Sequence, residues 1–305
     1  MIALRLHVFA ALLLVGCADG SGGLDFALDE AFPAASFLPP ASGPRLVVTN
    51  SGDDTLSFVD PVSFTEIARV PVGVFPMELE GAHHVAPTPD GRFLFVGIAN
   101  TVDRGAQASG PHGSHGTGAT PGYLLKIDAR TGRQIQRARV DRSPGDVRMQ
   151  PGGRRVWQSH YDLVTVAEVL EEEGSAAYDR AYEKTWSAAI VTDVDTMERI
   201  ARVPICPAGH GIGFSPDGGE AYVTCGLSDE LAIVDTGDFS VRRVPVAPDA
   251  GRLGEARHEP YALTVAPDGR VWVSNTHLGR NPVDPTQWID NRRIVVVDPR
   301  AGAVV

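Results

Sequence analysis

The sequence predicts an all-β fold in which a meander of short antiparallel strands is repeated along most of the chain. Three observations carry this expectation. A turn of the form Pro-Asp/Gly-Gly returns four times, at Pro89-Asp90-Gly91, Pro151-Gly152-Gly153, Pro216-Asp217-Gly218 and Pro267-Asp268-Gly269. Apolar runs of strand length flank each turn, and where they alternate they do so with the two-residue period of a strand that has two distinct faces. A further run follows each pair and closes, in most copies, on an aspartate such as Asp128, Asp235 or Asp298. Proline presets φ, and Asp-Gly supplies a side-chain acceptor and a residue that tolerates positive φ, so these turns have a local physical cause. One meander cannot bury both of its faces, so the copies must stack.

Residues 1–16 are expected to be an address rather than structure. Arg5 precedes an apolar run over 8–15, too short to span a bilayer as a permanent helix and suited to a signal peptide. The run ends in Leu14-Val15-Gly16-Cys17, which resembles a bacterial lipobox, and Cys17 is then the lipidation site. A lipid there would tether the chain to a membrane without burying its fold. A cleaved secretory signal with a coincidental cysteine is the alternative. Residues 17–44, rich in Gly, Ala, Ser and Pro, are predicted to be a flexible tether.

Repeats fill residues 45–305. The first copy has runs at 45–50, 55–60 and 64–70 and lacks an obvious innermost strand. The second has 84–88, 93–97 and 123–128, and the third 146–150, 155–158 and 188–194. The fourth has 212–214, 221–224 and 231–234, and the fifth 261–266, 271–275 and 293–298. Repetition of this length means blades of a propeller or coils of a solenoid. Insertions near 98–121, 159–187 and 276–291 all fall between the second and third strands of a copy, which places them on one face. The core of the middle insertion, 163–185, is expected to be helical, with Tyr178, Tyr182 and Trp186 on one side. Loops gathered on one face of a scaffold are where binding usually resides.

VVTN at 47–50, YVTC at 222–225 and WVSN at 272–275 are each followed by a polar turn and a strand ending in Asp. With FSPDG at 214–218 and VAPDG at 265–269, they resemble the YVTN-type β-propeller repeat, and the resemblance covers nearly everything from residue 45 onward. It implies a propeller of four-stranded antiparallel blades, five of them visible. The chain breaks off as a further strand begins at 303–305, which points to a truncated seven-bladed ring, with an unusual five-bladed closure as the alternative. Propellers of this kind include surface-layer repeats, lactonases and redox-enzyme subunits, so the resemblance does not choose a chemistry.

The formal charge of −11 argues against an electrostatic grip on nucleic acid. With Cys17 set aside, Cys206 and Cys225 remain as an even pair at the ends of one predicted hairpin, where a disulfide is geometrically sensible in an oxidising compartment. The alternative, two thiolates on a metal, lacks Cys-x-x-Cys spacing. In the propellers this chain resembles, the loop into the innermost strand and the loop after the second strand share a face around the central channel. That rule places His84, His210 and His258 at three innermost strands, with His83 beside the first. It places His160, Cys225 and His277 after second strands, and His112 and His115 above them.

Imidazole is the commonest metal-binding side chain, so His84, His210, His258, His160 and His277 form the candidate channel-mouth ligand or metal site. A hydrogen-bonded or solvated mouth residue is the simpler reading of each. The cluster suggests a metal ion as a cofactor. Asp60, Asp128, Asp195, Asp235 and Asp298 are expected to cap turns. Asp53, Asp54, Asp229 and Glu230 are weak calcium candidates, and Glu259 beside His258 is either a base pair for hydrolysis or a rim salt bridge. No nucleophile elbow, phosphate loop or dinucleotide fingerprint is present. Together these features point to a non-catalytic cell-envelope lipoprotein that binds a protein or glycan ligand and meets the membrane only through its lipid. The alternatives are a metal- or haem-associated redox propeller using the histidine-lined mouth, and a lactonase-like hydrolase.

Overall fold

The structure is a computed structural model that describes residues 38–41, 43–74, 79–100, 116–118, 120–179 and 182–305. Cys17, His112 and His115 lie outside the described residues. Among the described residues, five antiparallel blade sheets follow one another along the chain, with a sixth, two-stranded sheet inserted in the last. The first holds β1 (Leu46–Asn50), β2 (Thr55–Val59) and β3 (Glu66–Pro71). The second holds β4 (Ala82–Pro87), β5 (Phe93–Asn100), β6 (Thr120–Asp128) and β7 (Gln134–Arg142). The third is β8 (Pro144–Met149), β9 (Arg155–His160), β10 (Ser187–Asp193) and β11 (Arg199–Cys206). The fourth is β12 (Gly209–Phe214), β13 (Glu220–Cys225), β14 (Glu230–Asp235) and β15 (Val241–Pro245). In the fifth, β16 (Pro260–Val265) and β17 (Val271–Asn275) precede an inserted hairpin of β18 (Leu278–Arg280) and β19 (Trp288–Asp290). Its sheet is completed by β20 (Ile294–Asp298) and β21 (Ala303–Val304).

The first strands β4, β8, β12 and β16 lie against one another in succession, as the inner strands of a β-propeller do. Strand β1 meets β4 as β5 meets β8 and β13 meets β16. The first blade therefore begins at the second-strand position, as its sequence suggested, and its described residues include no innermost strand.

Blade packing follows from the alternation. Leu94, Val96 and Ile98 on one face of β5 bury against Leu56 and Phe58 of the first blade. Val271 and Val273 of β17 do the same against Tyr222, Leu231 and Ile233. Burying one such aliphatic side chain is worth about 1.5–3 kcal/mol. Leu38, inside the segment expected to be tether, joins the first of these clusters. The matching face of β1, with Leu46 and Val48, and the outward face of the fifth blade, with Trp272 and Ile294, are exposed.

Local hydrogen bonding explains the turns. The Oδ1 atoms of Asp60, Asp128, Asp235 and Asp298 each accept the N–H groups two and three residues on, which closes the turn after the third strand. In the third blade this residue is Asp193, not the expected Asp195. The strand ends one residue earlier, at Asp193 itself, and Asp195 donates its own N–H to Asp193.

The middle insertion forms α1 (Leu163–Glu173), α2 (Ala176–Asp179) and a 3₁₀ turn (Tyr182–Thr185) rather than one helix over 163–185. Asp162 caps α1 through the Thr165 N–H, and Gly174, at φ +57°, breaks it. Tyr178 and Trp186 consequently sit on separate turns, and Trp186 packs under the Arg243 guanidinium at 3.9 Å.

Cys206 and Cys225 are disulfide-bonded, with their Cα atoms 5.8 Å apart. Cys206 closes β11, so the bond ties the outer strand of the third blade to the second strand of the fourth instead of joining two ends of one hairpin. Closing a loop of this length restricts the unfolded chain by about 3 kcal/mol on the chain-entropy account. Among the described residues, no helix is long and apolar enough to cross a membrane.

Candidate functional site

Each of the four inner strands departs from its ladder at the same place. The register slips between Ala82 and His84, Pro144 and Val147, Gly209 and Ile212, and Pro260 and Leu263. The residue before each strand is left-handed: Gly81 at φ +68°, Ser143 at +50°, Ala208 at +53° and Glu259 at +51°. Three of these four carry a Cβ, so the conformation is a strained one, and it is held in register through the repeat. A bulge sets two residues against one and re-aims their side chains. The bulged pairs are His83-His84, Gly145-Asp146, His210-Gly211 and Tyr261-Ala262. Gly211 has no room for a side chain, because a Cβ there would lie 2.8 Å from the Tyr261 carbonyl oxygen.

These pairs bring His83, His84 and His210 together, with one ring nitrogen from each lying within 4.8 Å of the others. Their ring centroids are 4.5 Å apart for His83 and His84 and 5.4 Å for His84 and His210. Nitrogens on one tetrahedral ion of zinc size would be about 3.3 Å apart, a spacing reached by small side-chain rotations. His84 Nδ1 lies 3.0 Å from Asp146 Oδ1. His210 Nδ1 lies 3.1 Å from the Tyr261 carbonyl oxygen, while the Tyr261 ring stacks on its face at 3.8 Å. A carboxylate and a carbonyl can only accept, so both Nδ1 atoms donate, and in the neutral form of each ring Nε2 then holds the lone pair. This is the tautomer of a metal-ligating histidine with its outer partner in place.

Asp146 fastens three blades. Its Oδ1 also accepts the Val147 N–H at 2.8 Å, and its Oδ2 accepts Arg148 Nε at 3.0 Å and the Ile212 N–H at 3.1 Å. Burial alone would push its carboxyl up, but the hydrogen bond and charge of His84, the Arg148 guanidinium and the Ile212 N–H outweigh burial and hold it at about 2. Ser159 Oγ accepts the Asp146 N–H at 2.9 Å and donates to the His210 carbonyl, a second brace between the strands that carry the site.

The remaining expected histidines lie in other surroundings. His258 is fully buried and its Nε2 meets Asp249 Oδ1 at 2.9 Å. His160 is a core histidine, fully buried against the Ala188 carbonyl at 2.9 Å, and burial pushes its pKa down. His277 Nδ1 pairs with Glu259 Oε1 at 3.0 Å, so Glu259 serves His277 and not its neighbour His258. Cys225 is spent in the disulfide. Asp146, Tyr161 and Tyr261, none of them expected at the site, line it with the histidines, and the Tyr161 ring stands edge-on to His210 at 5.6 Å. Burial pushes the Tyr161 hydroxyl up to about 12.

Of the four acidic candidates for calcium, Asp229 and Asp54 serve as staples instead, while Asp53 pairs with Arg69 and Glu230 accepts from Ser228 Oγ. Asp229, fully buried at φ +50°, accepts the N–H groups of Gly251, Arg257, His258 and Glu259 at 2.7–2.9 Å. Asp54, at φ +53°, likewise accepts from Glu80 and Gly81 at 2.8 and 2.6 Å. Their lone pairs face N–H donors, which leaves no place for a cation. Each staple fixes the segment that feeds an inner strand, and so positions His83 and His84 in one case and Tyr261 in the other.

No protein-family model matches this chain, and no curated protein sequence does. Among solved structures it is similar to dihydro-heme d1 dehydrogenase NirN in complex with DHE, with a TM-score of 0.51 and 15% identity, over 90% of this chain and 46% of that one. It is similar to a functionally unknown protein from Desulfotomaculum acetoxidans, with a TM-score of 0.52 and 14% identity, over 85% of this chain and 64% of that one. A protein of unknown function from Bacteroides caccae matches at 0.50 and 12%, over 86% and 72%. The chain spans less than two thirds of the length of the first two. At these identities the likeness is one of fold, a β-propeller.

Proposed function

We propose that this chain is a metal-binding β-propeller protein of the cell envelope, in which His83, His84 and His210 hold one first-row transition-metal ion where the inner strands begin. The convergence of three imidazole nitrogens within 4.8 Å carries the reading. The Nδ1 atoms of His84 and His210 are already committed to Asp146 and the Tyr261 carbonyl, which orients both rings. Imidazole donors suit zinc, copper, nickel and iron. The purified full chain, equilibrated with zinc(II) and dialysed, should retain one equivalent by elemental analysis. His210→Ala should abolish retention, and His160→Ala should leave it unchanged. A wild-type chain that keeps no metal would overturn the reading. A haem-type ligand is the second reading, supported by the likeness to NirN, and a Soret band after haem addition that His210→Ala removes would select it.

The envelope assignment rests on the lipobox-like Leu14-Val15-Gly16-Cys17 and the apolar run before it. Expressed in a bacterial host with radiolabelled palmitate, the full chain should incorporate label and partition with membranes, while Cys17→Ser should do neither. Equal labelling of the two proteins would remove the anchor. The insertions near 98–121, 159–187 and 276–291 are proposed as the contact surface for an envelope protein or glycan, on the ground that they interrupt equivalent connections.

A further inference from the structure

We infer that the metal centre keeps one exchangeable coordination position on its His84 side, held by water and open to small monoanions. This rests on the three-histidine reading above. Among the described residues, no fourth His, Cys, Asp or Glu joins the group. Sealed structural sites for such ions use four protein ligands, whereas three protein ligands and an open place make a site for exogenous ligands.

Asp146 is the nearest acid by contact, and its two oxygens already accept from four donors: His84 Nδ1, the Val147 N–H, Arg148 Nε and the Ile212 N–H. Swinging into the coordination sphere would abandon all four, so it remains an outer partner. The surroundings are lopsided. On one flank His210 is 2% exposed, covered by the stacked Tyr261 ring and by the edge of Tyr161. On the other flank the His84 side chain is 28% exposed, and His83 is also partly exposed. Solvent and small solutes reach the ion from that side.

Charge selects among them. Three neutral imidazoles leave a divalent ion with its full charge, and the negative charge of Asp146 beside it is already shared with the Arg148 guanidinium, so the centre stays positive. A monoanion offsets part of that charge, so azide, cyanide or formate should bind better than neutral ligands of the same size.

The test uses the full chain loaded with copper(II), freed of excess metal by gel filtration and titrated with azide. An azide-to-copper charge-transfer band should grow to saturation at one azide per copper, with a matching shift in the electron paramagnetic resonance spectrum. A His84→Ala/His210→Ala double variant treated identically should show neither. Stoichiometric copper with spectra unmoved by azide would mean a sealed centre and overturn this inference alone, leaving the metal reading intact. Failure to retain copper would overturn both, and the same band in the double variant would assign the response to surface copper and overturn the open position.

Discussion

Replacing Asp229 with alanine should lower the unfolding free energy by about 3–5 kcal/mol, a loss read as a shift of the urea midpoint of the disulfide-intact chain. The reason lies in what the carboxylate holds. Four backbone N–H groups, from Gly251, Arg257, His258 and Glu259, converge on its two oxygens in a fully buried setting. Each donor left without an acceptor costs about 1–3 kcal/mol, partly offset if water enters. The left-handed backbone at φ +50° adds a second contribution, because alanine is less at ease there than aspartate.

Two companion variants separate these contributions. Asp229→Gly removes the backbone cost and should be about 1 kcal/mol less damaging than Asp229→Ala. Asp229→Asn keeps one acceptor oxygen but points an NH2 group at a pair of N–H donors, since Oδ1 serves His258 and Glu259 while Oδ2 serves Gly251 and Arg257. No flip of the amide relieves this, so asparagine should also be destabilising despite its similar shape. If Asp229→Ala and Asp229→Asn both moved the midpoint by less than about 1 kcal/mol, the staple would be a decoration and not a support.

This staple shows where sequence reasoning succeeds and where it stops. The turns of the propeller were legible because their causes are local. Proline and Asp-Gly set the hairpins, and Asp60, Asp128, Asp235 and Asp298 cap the turns after third strands using N–H groups two and three residues away. Asp229 was seen only as an acid near another acid, because its partners lie 22 to 30 residues further on.

The histidine site was legible in part, through His84 and His210, and the rest was hidden for a sharper reason. A two-residue period sends the adjacent His83 and His84 to opposite faces, but the bulge at the start of β4 turns both toward the site. Bulges leave little mark on composition. Of the four left-handed residues that precede them, only Gly81 belongs to a type that betrays positive φ. Once Ala208 and Glu259 are matched, His210 follows the left-handed residue by two positions, whereas His258 precedes it. His258 therefore corresponds to Pro207, and its ring turns to Asp249. Aligning the repeats on the left-handed residue would have pointed to Asp146 and Tyr261 and set His258 aside.

Asp146→Ala should damage fold and site together, lowering stability by about 3–5 kcal/mol and metal affinity by about 10- to 100-fold. The stability loss follows from stranding His84, Arg148 and the Ile212 N–H around a buried gap, and the affinity loss from freeing the His84 ring. Acid isolates the electrostatic part. The carboxyl is held at about 2, below its ordinary 3.8, so the unfolded chain binds the extra proton in that interval. The stabilisation is complete above about pH 4, declines as pH falls through the interval, and is gone below about pH 2. In the metal-free protein, urea midpoints measured down this range should therefore fall more steeply for wild type than for Asp146→Ala. Asp146→Asn should share the shallow profile while holding metal better than alanine, because its carbonyl oxygen can still accept from His84 Nδ1. Parallel acid profiles for wild type and Asp146→Ala would show that the carboxylate does not hold the blades by its charge. An unchanged metal affinity would show that it does not orient His84.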